Sequence, residues 1–140
     1  MRFMLLVKAD RETEAGVLPS QQLLTEMGKY NEELVKAGVL LAAEGLQASA
    51  KGSRVTFTDG KPTVVDGPVA EAKELVAGFW LIQVKSKEEA VAWVKRVPLR
   101  QGQVEIRQVF EAEDFGPALT PELRAQEARL RTESQAVGPR

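Results

Sequence analysis

Thr63-Val64-Val65-Asp66-Gly67-Pro68-Val69-Ala70-Glu71-Ala72-Lys73-Glu74-Leu75-Val76-Ala77-Gly78-Phe79-Trp80-Leu81-Ile82-Gln83-Val84 is the stretch whose reading decides the fold. It opens as a short extended run, turns at Asp66-Gly67-Pro68, and passes through a brief amphipathic segment to Leu75. A glycine then precedes the most hydrophobic strand of the chain, Phe79 to Val84. Phe79 and Leu81 occupy one side of that strand, and Trp80, Ile82 and Val84 the other. Apolar residues on both sides predict a strand buried on both faces, hence central in a sheet. Asp66 is the one carboxylate that coincides with a turn and a helix start beside such structure, which makes it the leading candidate for chemistry.

The segments around this strand complete the pattern. Phe3 to Val7 is again apolar on both sides, with Phe3, Leu5 and Val7 opposite Met4 and Leu6. Asp10 to Val17 is polar, contains Gly16 and reads as a loop. Pro19 suits a helix first turn. Leu23, Leu24, Met27, Tyr30, Leu34 and Val35 then recur at helical spacing up to Gly38, so the first helix is expected over Pro19 to Ala37. Val39 to Leu46 reads as a strand. Arg54 to Phe57 and Thr63 to Val65 flank Asp59-Gly60, a strong hairpin signal. Ser86 with Glu89 three residues on forms a capping box that starts a second helix, and Pro98 ends it. Val104 to Phe110 is the last strand, half apolar as an edge strand is.

The order strand, helix, strand, hairpin, strand, helix, strand predicts an α+β chain of ferredoxin-like type, βαββαβ with an inserted β-hairpin. Its first and central strands lie in the middle of the sheet. Beyond Phe110 the chain becomes acidic and turn-rich. Thr120-Pro121-Glu122 then opens a thinly apolar helix to about Glu133, and Ala136 to Arg140 is expected to fray. The expected domains are 1–112 and a C-terminal helical extension, 113–140.

Composition removes several classes of function. The chain has 19 basic and 20 acidic residues and a formal net charge of -1, so no whole-chain field favours nucleic acid or membrane. No apolar run is long enough for a membrane span, and Met1 to Lys8 is too short for a signal peptide core. A cytoplasmic location is expected. Cysteine and histidine are both absent. That excludes disulfides, thiolate ligands, histidine triads and the usual zinc sites. Acid–base chemistry has to come from Asp, Glu, Lys or Tyr. No spacing suggests an acidic metal loop or a glycine-rich phosphate loop, so no metal and no cofactor is expected.

A ferredoxin-like sheet carries both helices on one face. The other face is then left with an apolar side of each central strand. Large apolar side chains contribute about 1.5–3 kcal/mol each when buried, so four or five left wet forgo on the order of 6–15 kcal/mol. That is comparable to the whole stability of a domain. Two covers are open: a second copy of the chain across a twofold axis, and the C-terminal helix folding back, whose few leucines reach part of the sheet at most. A homodimer through the open sheet face is the expected partner arrangement.

Met4-Leu5-Leu6, Ala37-Gly38-Val39-Leu40 leading into Glu44-Gly45-Leu46, and Asp66-Gly67-Pro68-Val69 running to Leu75 before Gly78-Phe79-Trp80-Leu81-Ile82 resemble the YCII-related proteins of the DGPF type. Glu89-Ala90 with Trp93 before Val97-Pro98, and Val104-Glu105-Ile106-Arg107, extend the resemblance over about Met1 to Phe110. It implies a dimeric α/β barrel, two ferredoxin-like sheets face to face, with a pocket between sheet and helices. It also implies an uncharacterised bacterial protein, some of whose relatives are associated with sigma factors. Similar folds host isomerases and dehalogenating lyases. Position 69 is Val where the naming motif has Phe. The His–Asp pair suspected in YCII-like relatives is represented here by Asp66 alone.

Asp66 has two readings: an N-cap accepting from the Val69 N–H or a neighbour, and a general base or ligand contact. Glu44 is either a solvated edge residue or a pocket carboxylate facing Asp66. Arg54 and Arg107, on expected strands, are candidates for an anionic ligand, with cross-strand pairing to Glu105 or another acid as the alternative for both. Tyr30 reads as core with a polar tip at a pocket edge. Trp80 and Trp93 are most simply core, with Trp80 also a candidate for lining the pocket. Glu71 and Lys73 read as surface charge patterning. Two functions follow: a dimer that binds a small ligand or regulatory partner without catalysis, and an isomerase- or lyase-type enzyme acting on a small organic acid without histidine.

Overall fold

The computed structural model describes residues 1–71 and 74–136. The chain divides into two compact units, Met1–Gln108 and Val109–Arg140.

The first unit is α+β. Its strands are β1 (Arg2–Lys8), β2 (Leu40–Gly45), β3 (Ser53–Thr58), β4 (Lys61–Asp66), β5 (Val76–Gln83) and β6 (Val104–Gln108), and its helices are α1 (Arg11–Glu14), α2 (Gln21–Lys36) and α3 (Lys87–Val94). Four strands form an antiparallel sheet in the order β2-β5-β1-β6. This is the ferredoxin-like arrangement, with the two doubly apolar strands in the centre and the others at the edges. β3 and β4 pair only with each other.

Pleating assigns the two sheet faces. Phe3 pairs with Ile82 and Leu5 with Trp80 on β1 and β5, and Leu5 pairs with Ile106 on β6. These side chains meet Tyr30 and Leu34 of α2, Ala90 of α3, and Val39 and Val84 in one core. Phe3, Leu5, Leu34 and Ile82 are its largest fully buried members. The alternate positions form the other face, with Met4 opposite Leu81 and Leu6 opposite Phe79. Helices α2 and α3 each begin where a serine accepts an N–H from the first turn: Ser20 from Leu23 at 3.1 Å and Ser86 from Glu89 at 3.1 Å.

Several boundaries differ from the expected ones. Pro19 precedes the cap at Ser20 instead of sitting in the first turn, because the serine hydroxyl is the better partner for the Leu23 N–H. Asp10 to Val17 is not all loop. Asp10 Oδ1 accepts from the Thr13 N–H at 2.8 Å and Thr13 Oγ1 accepts from the Asp10 N–H at 2.9 Å, a reciprocal cap that fixes α1. The Ser86 box is half as expected: Glu89 Oε2 accepts from the Lys85 N–H, one residue before the cap. Residues 68–71, directly after the Asp66-Gly67 turn, form no α-helix. The last strand ends at Gln108, so Phe110 does not share its face.

In the second unit a 3-10 segment, Ala112–Ala118, is bent at Gly116, where φ is 70°. Phe110 stacks on Phe115 with centroids 4.7 Å apart. Helix α4 (Pro121–Ala136) is capped by Thr120 Oγ1, which accepts from the Leu123 N–H at 3.2 Å, and buries none of its residues. Of the residues expected to fray, Ala136 is the last of α4, and 137–140 lie outside the described residues, as does Lys73 with its expected patterning role.

Candidate functional site

The turn Asp66-Gly67-Pro68-Val69 is held from two sides. After β2 the chain makes a 3-10 turn, Ser49–Lys51, which lies against Gly67. The Gly67 N–H donates to the Gly52 carbonyl at 3.0 Å. A Cβ on Gly67 would stand 1.8 Å from the Ser49 carbonyl oxygen, so only glycine fits between the two segments. The Ser49 hydroxyl accepts from the Val69 N–H at 2.9 Å and donates to Glu14 Oε2 at 2.5 Å, and the Ser49 N–H donates to Glu14 Oε1 at 2.9 Å. Glu14, at the end of α1, therefore spends both carboxylate oxygens on Ser49. Charge-assisted bonds of this kind are stronger than neutral ones. They make a three-layer joint: α1, the 3-10 turn, and the Asp66 loop.

Asp66 ends β4, and its Oδ1 accepts from the Ser53 hydroxyl across the hairpin base at 2.7 Å. The N-cap reading of Asp66 is thereby corrected. The Val69 N–H goes to Ser49, and the nearest hydroxyl to the Asp66 carboxylate is the cross-strand Ser53. The carboxylate is exposed at the mouth of the joint.

The other candidate residues are spread over three places. Arg54 is exposed on β3 opposite Val65, so alternation puts it on the hairpin face away from Asp66. Glu44 is exposed on edge strand β2 opposite Phe79, on the sheet face opposite α2 and α3. Tyr30 and Trp80 are brought together inside the core, edge to face with centroids 5.4 Å apart. The Tyr30 hydroxyl donates to the Trp93 carbonyl at 2.8 Å, and Trp80 Nε1 donates to Asn31 Oδ1 at 2.8 Å. Burial pushes the Tyr30 hydroxyl up to about 12, partly opposed by the Arg96 charge and reinforced by Glu33. These two aromatics are packed in the core with their polar atoms partnered within the first unit. Arg107 pairs with Glu105 at 3.3 Å, two residues away on the same strand face instead of across strands.

Glu14 and Ser49 escaped the reading from sequence. Each lies in a polar stretch without periodicity, and they are 35 residues apart. The Asp10-x-x-Thr13 pattern was the available sign that Glu14 ends a structured turn. Among the described residues no three acidic, histidine or cysteine side chains converge as a metal set, and no helix is long and apolar enough to cross a membrane.

The chain is 28% identical over 75 residues to an uncharacterized protein of Rhizobium meliloti (strain 1021), a span of 54% of this chain and 60% of that relative. Residues 1–113 match the YCII-related domain. That match takes in every element of the first unit, the Glu14–Ser49 joint and the Asp66 turn, and on it the chain belongs to the YCII-related family.

Proposed function

We propose that the protein is a homodimer, a dimeric α/β barrel in which two sheets pack through the faces opposite α2 and α3. The observation that carries this is the composition of that face. Phe79 and Leu81 of β5 alternate with Met4 and Leu6 of β1 in cross-strand pairs, all four half-buried and on the face opposite α2 and α3. Ala42 and Glu44 of β2 flank the patch on one side, and Glu105 and Arg107 of β6 flank it on the other. An apolar centre with charged rims is the pattern of a protein interface.

In this reading β3–β4 is an insertion into the ferredoxin-like core, residues 1–112 form the domain, and 113–140 extend it. The dimer holds a small-molecule pocket at the Asp66 turn, and its role is non-catalytic binding or regulation in the cytoplasm. Two features favour binding over catalysis. Histidine is absent, so Asp66 has no imidazole partner. Glu14, the nearest structured carboxylate, has both oxygens engaged by Ser49.

Sedimentation equilibrium and a thermal-shift screen against small organic acids test the two halves. The expected results are a dimer that Phe79→Glu turns into a folded monomer, and a stabilising ligand whose effect Asp66→Asn removes with fold and dimer intact. A monomeric wild-type chain at micromolar concentration overturns the assembly. Ligand stabilisation unchanged in Asp66→Asn overturns the site.

A further inference from the structure

The β3–β4 hairpin has one face with the makeup of a buried sheet surface and no cover. Alternation puts Ser53, Val55 and Phe57 on one side together with their partners Asp66, Val64 and Pro62. Arg54, Thr56 and Thr58 lie on the other side with Val65, Thr63 and Lys61. Beyond its Ser53–Asp66 base the first side is wholly apolar, while the second is mostly polar and carries two cations. A strand pair buried on one face has this division. Yet Phe57 is 70% exposed, Val64 64% and Val55 47%, and neither strand pairs outside the hairpin. An isolated two-stranded hairpin is at best marginally stable in water.

We propose that this face is an arm that docks on a second copy of the chain. The proposal rests on the homodimer reading above and adds where most of the apolar contact comes from. Area decides the occupant. Met4, Leu6, Phe79 and Leu81 are already half-buried, so together they leave about 200 Å² of apolar surface, against about 800 Å² per partner in a stable interface. The sheet face alone falls short. Val55, Phe57, Pro62 and Val64 add roughly 300 Å², which brings the apolar area offered by each protomer to about 500 Å², enough for the apolar share of such an interface, a little over half of its area. The arm's apolar side is also compatible with a copy of itself: its one charge, Asp66, sits at the base and accepts from Ser53. At about 3.3 Å per residue, the six-residue strands reach roughly 20 Å from that base, far enough to cross onto a neighbour.

The test compares three full-length proteins by sedimentation equilibrium, with circular dichroism as the check on folding: wild type, the double variant Phe57→Ser with Val64→Ser, and Phe79→Glu. Both arm positions are exposed within the protomer, so the double variant is expected to keep its fold. It is expected to weaken dimerisation by at least about 30-fold, the effect of exposing two such side chains at an interface. The conservative pair Phe57→Leu and Val64→Ile is expected to retain dimerisation. A benzophenone amino acid in place of Phe57 is expected to cross-link tagged to untagged chains when the two are mixed. An unchanged dimer constant in the double variant, with Phe79→Glu monomeric, overturns the arm and leaves the sheet-face dimer standing. Cross-linking confined to single chains overturns the arm as well. A monomeric wild type overturns both readings.

Discussion

Ser49 donates its hydroxyl to Glu14 Oε2 at 2.5 Å and its backbone N–H to Glu14 Oε1 at 2.9 Å, so a single carboxylate grips a single residue at two points. The same hydroxyl accepts the Val69 N–H, which passes the grip on to the Asp66 loop.

Removing that grip is expected to loosen the loop more than the core. Glu14→Ala leaves two half-buried donors of Ser49 without an acceptor, at a cost of about 1–3 kcal/mol. Hydrogen exchange is expected to speed up at the Ser49 and Val69 amides and to stay unchanged at Leu5 and Ile82. Uniform acceleration across all four would mean that the joint is part of the global fold.

Gly67→Ala meets backbone, not a yielding side chain, because the added Cβ would lie 1.8 Å from the Ser49 carbonyl oxygen. The two segments have to part, and overpacking of this kind costs about 1–3 kcal/mol. Urea denaturation of the variant measures it, and an unshifted midpoint would show that the 3-10 turn gives way freely.

Tyr30 is the chain's one tyrosine, so its phenolate absorbance reports a single group. Burial, the largest cause, raises its folded value to about 12 from 10.0. A raised folded value means that the folded state holds the proton more tightly than the unfolded chain. The resulting stability is fully present below pH 10 and is lost as pH rises through about 12. The ultraviolet titration of native protein is therefore expected to lag behind that of denatured protein. Tyr30→Phe is expected to flatten the alkaline decline while costing about 1 kcal/mol at neutral pH, from the lost bond to the Trp93 carbonyl.

Leu34 has no exposed surface and sits where α2 meets the sheet. Leu34→Ala is expected to cost about 2–5 kcal/mol through lost transfer energy and a residual cavity. Leu24→Ala, on the exposed side of the same helix, is expected to change stability by less than about 0.5 kcal/mol. Thermal denaturation of the pair tests the assignment of faces.

The middle of the sheet was legible because β1 and β5 carry large apolar residues on both sides along most of their length. The hairpin was legible because Asp59 and Gly60 both adopt positive φ, 51° and 78°, as their residue types allow. Sequence left open which side of β5 meets the helices. Trp80 and Ile82 do, and nothing local distinguishes them from Phe79 and Leu81. The surroundings of Asp66 were misread for a related reason. Its partner Ser53 is 13 residues earlier, reached only after the hairpin closes, whereas a helix cap would be read three residues on. Glu14 and Ser49 meet through tertiary folding alone, and neither carries a local sign of the other.

The arm enters and leaves the body at Gly52 and Gly67, which are joined by one 3.0 Å backbone bond, while β2 and β5 pair directly with each other. The ladder of the main sheet is thus complete without anything between those two glycines. The intervening cassette can therefore be lengthened, shortened or rewritten without breaking a rung of the platform beneath it.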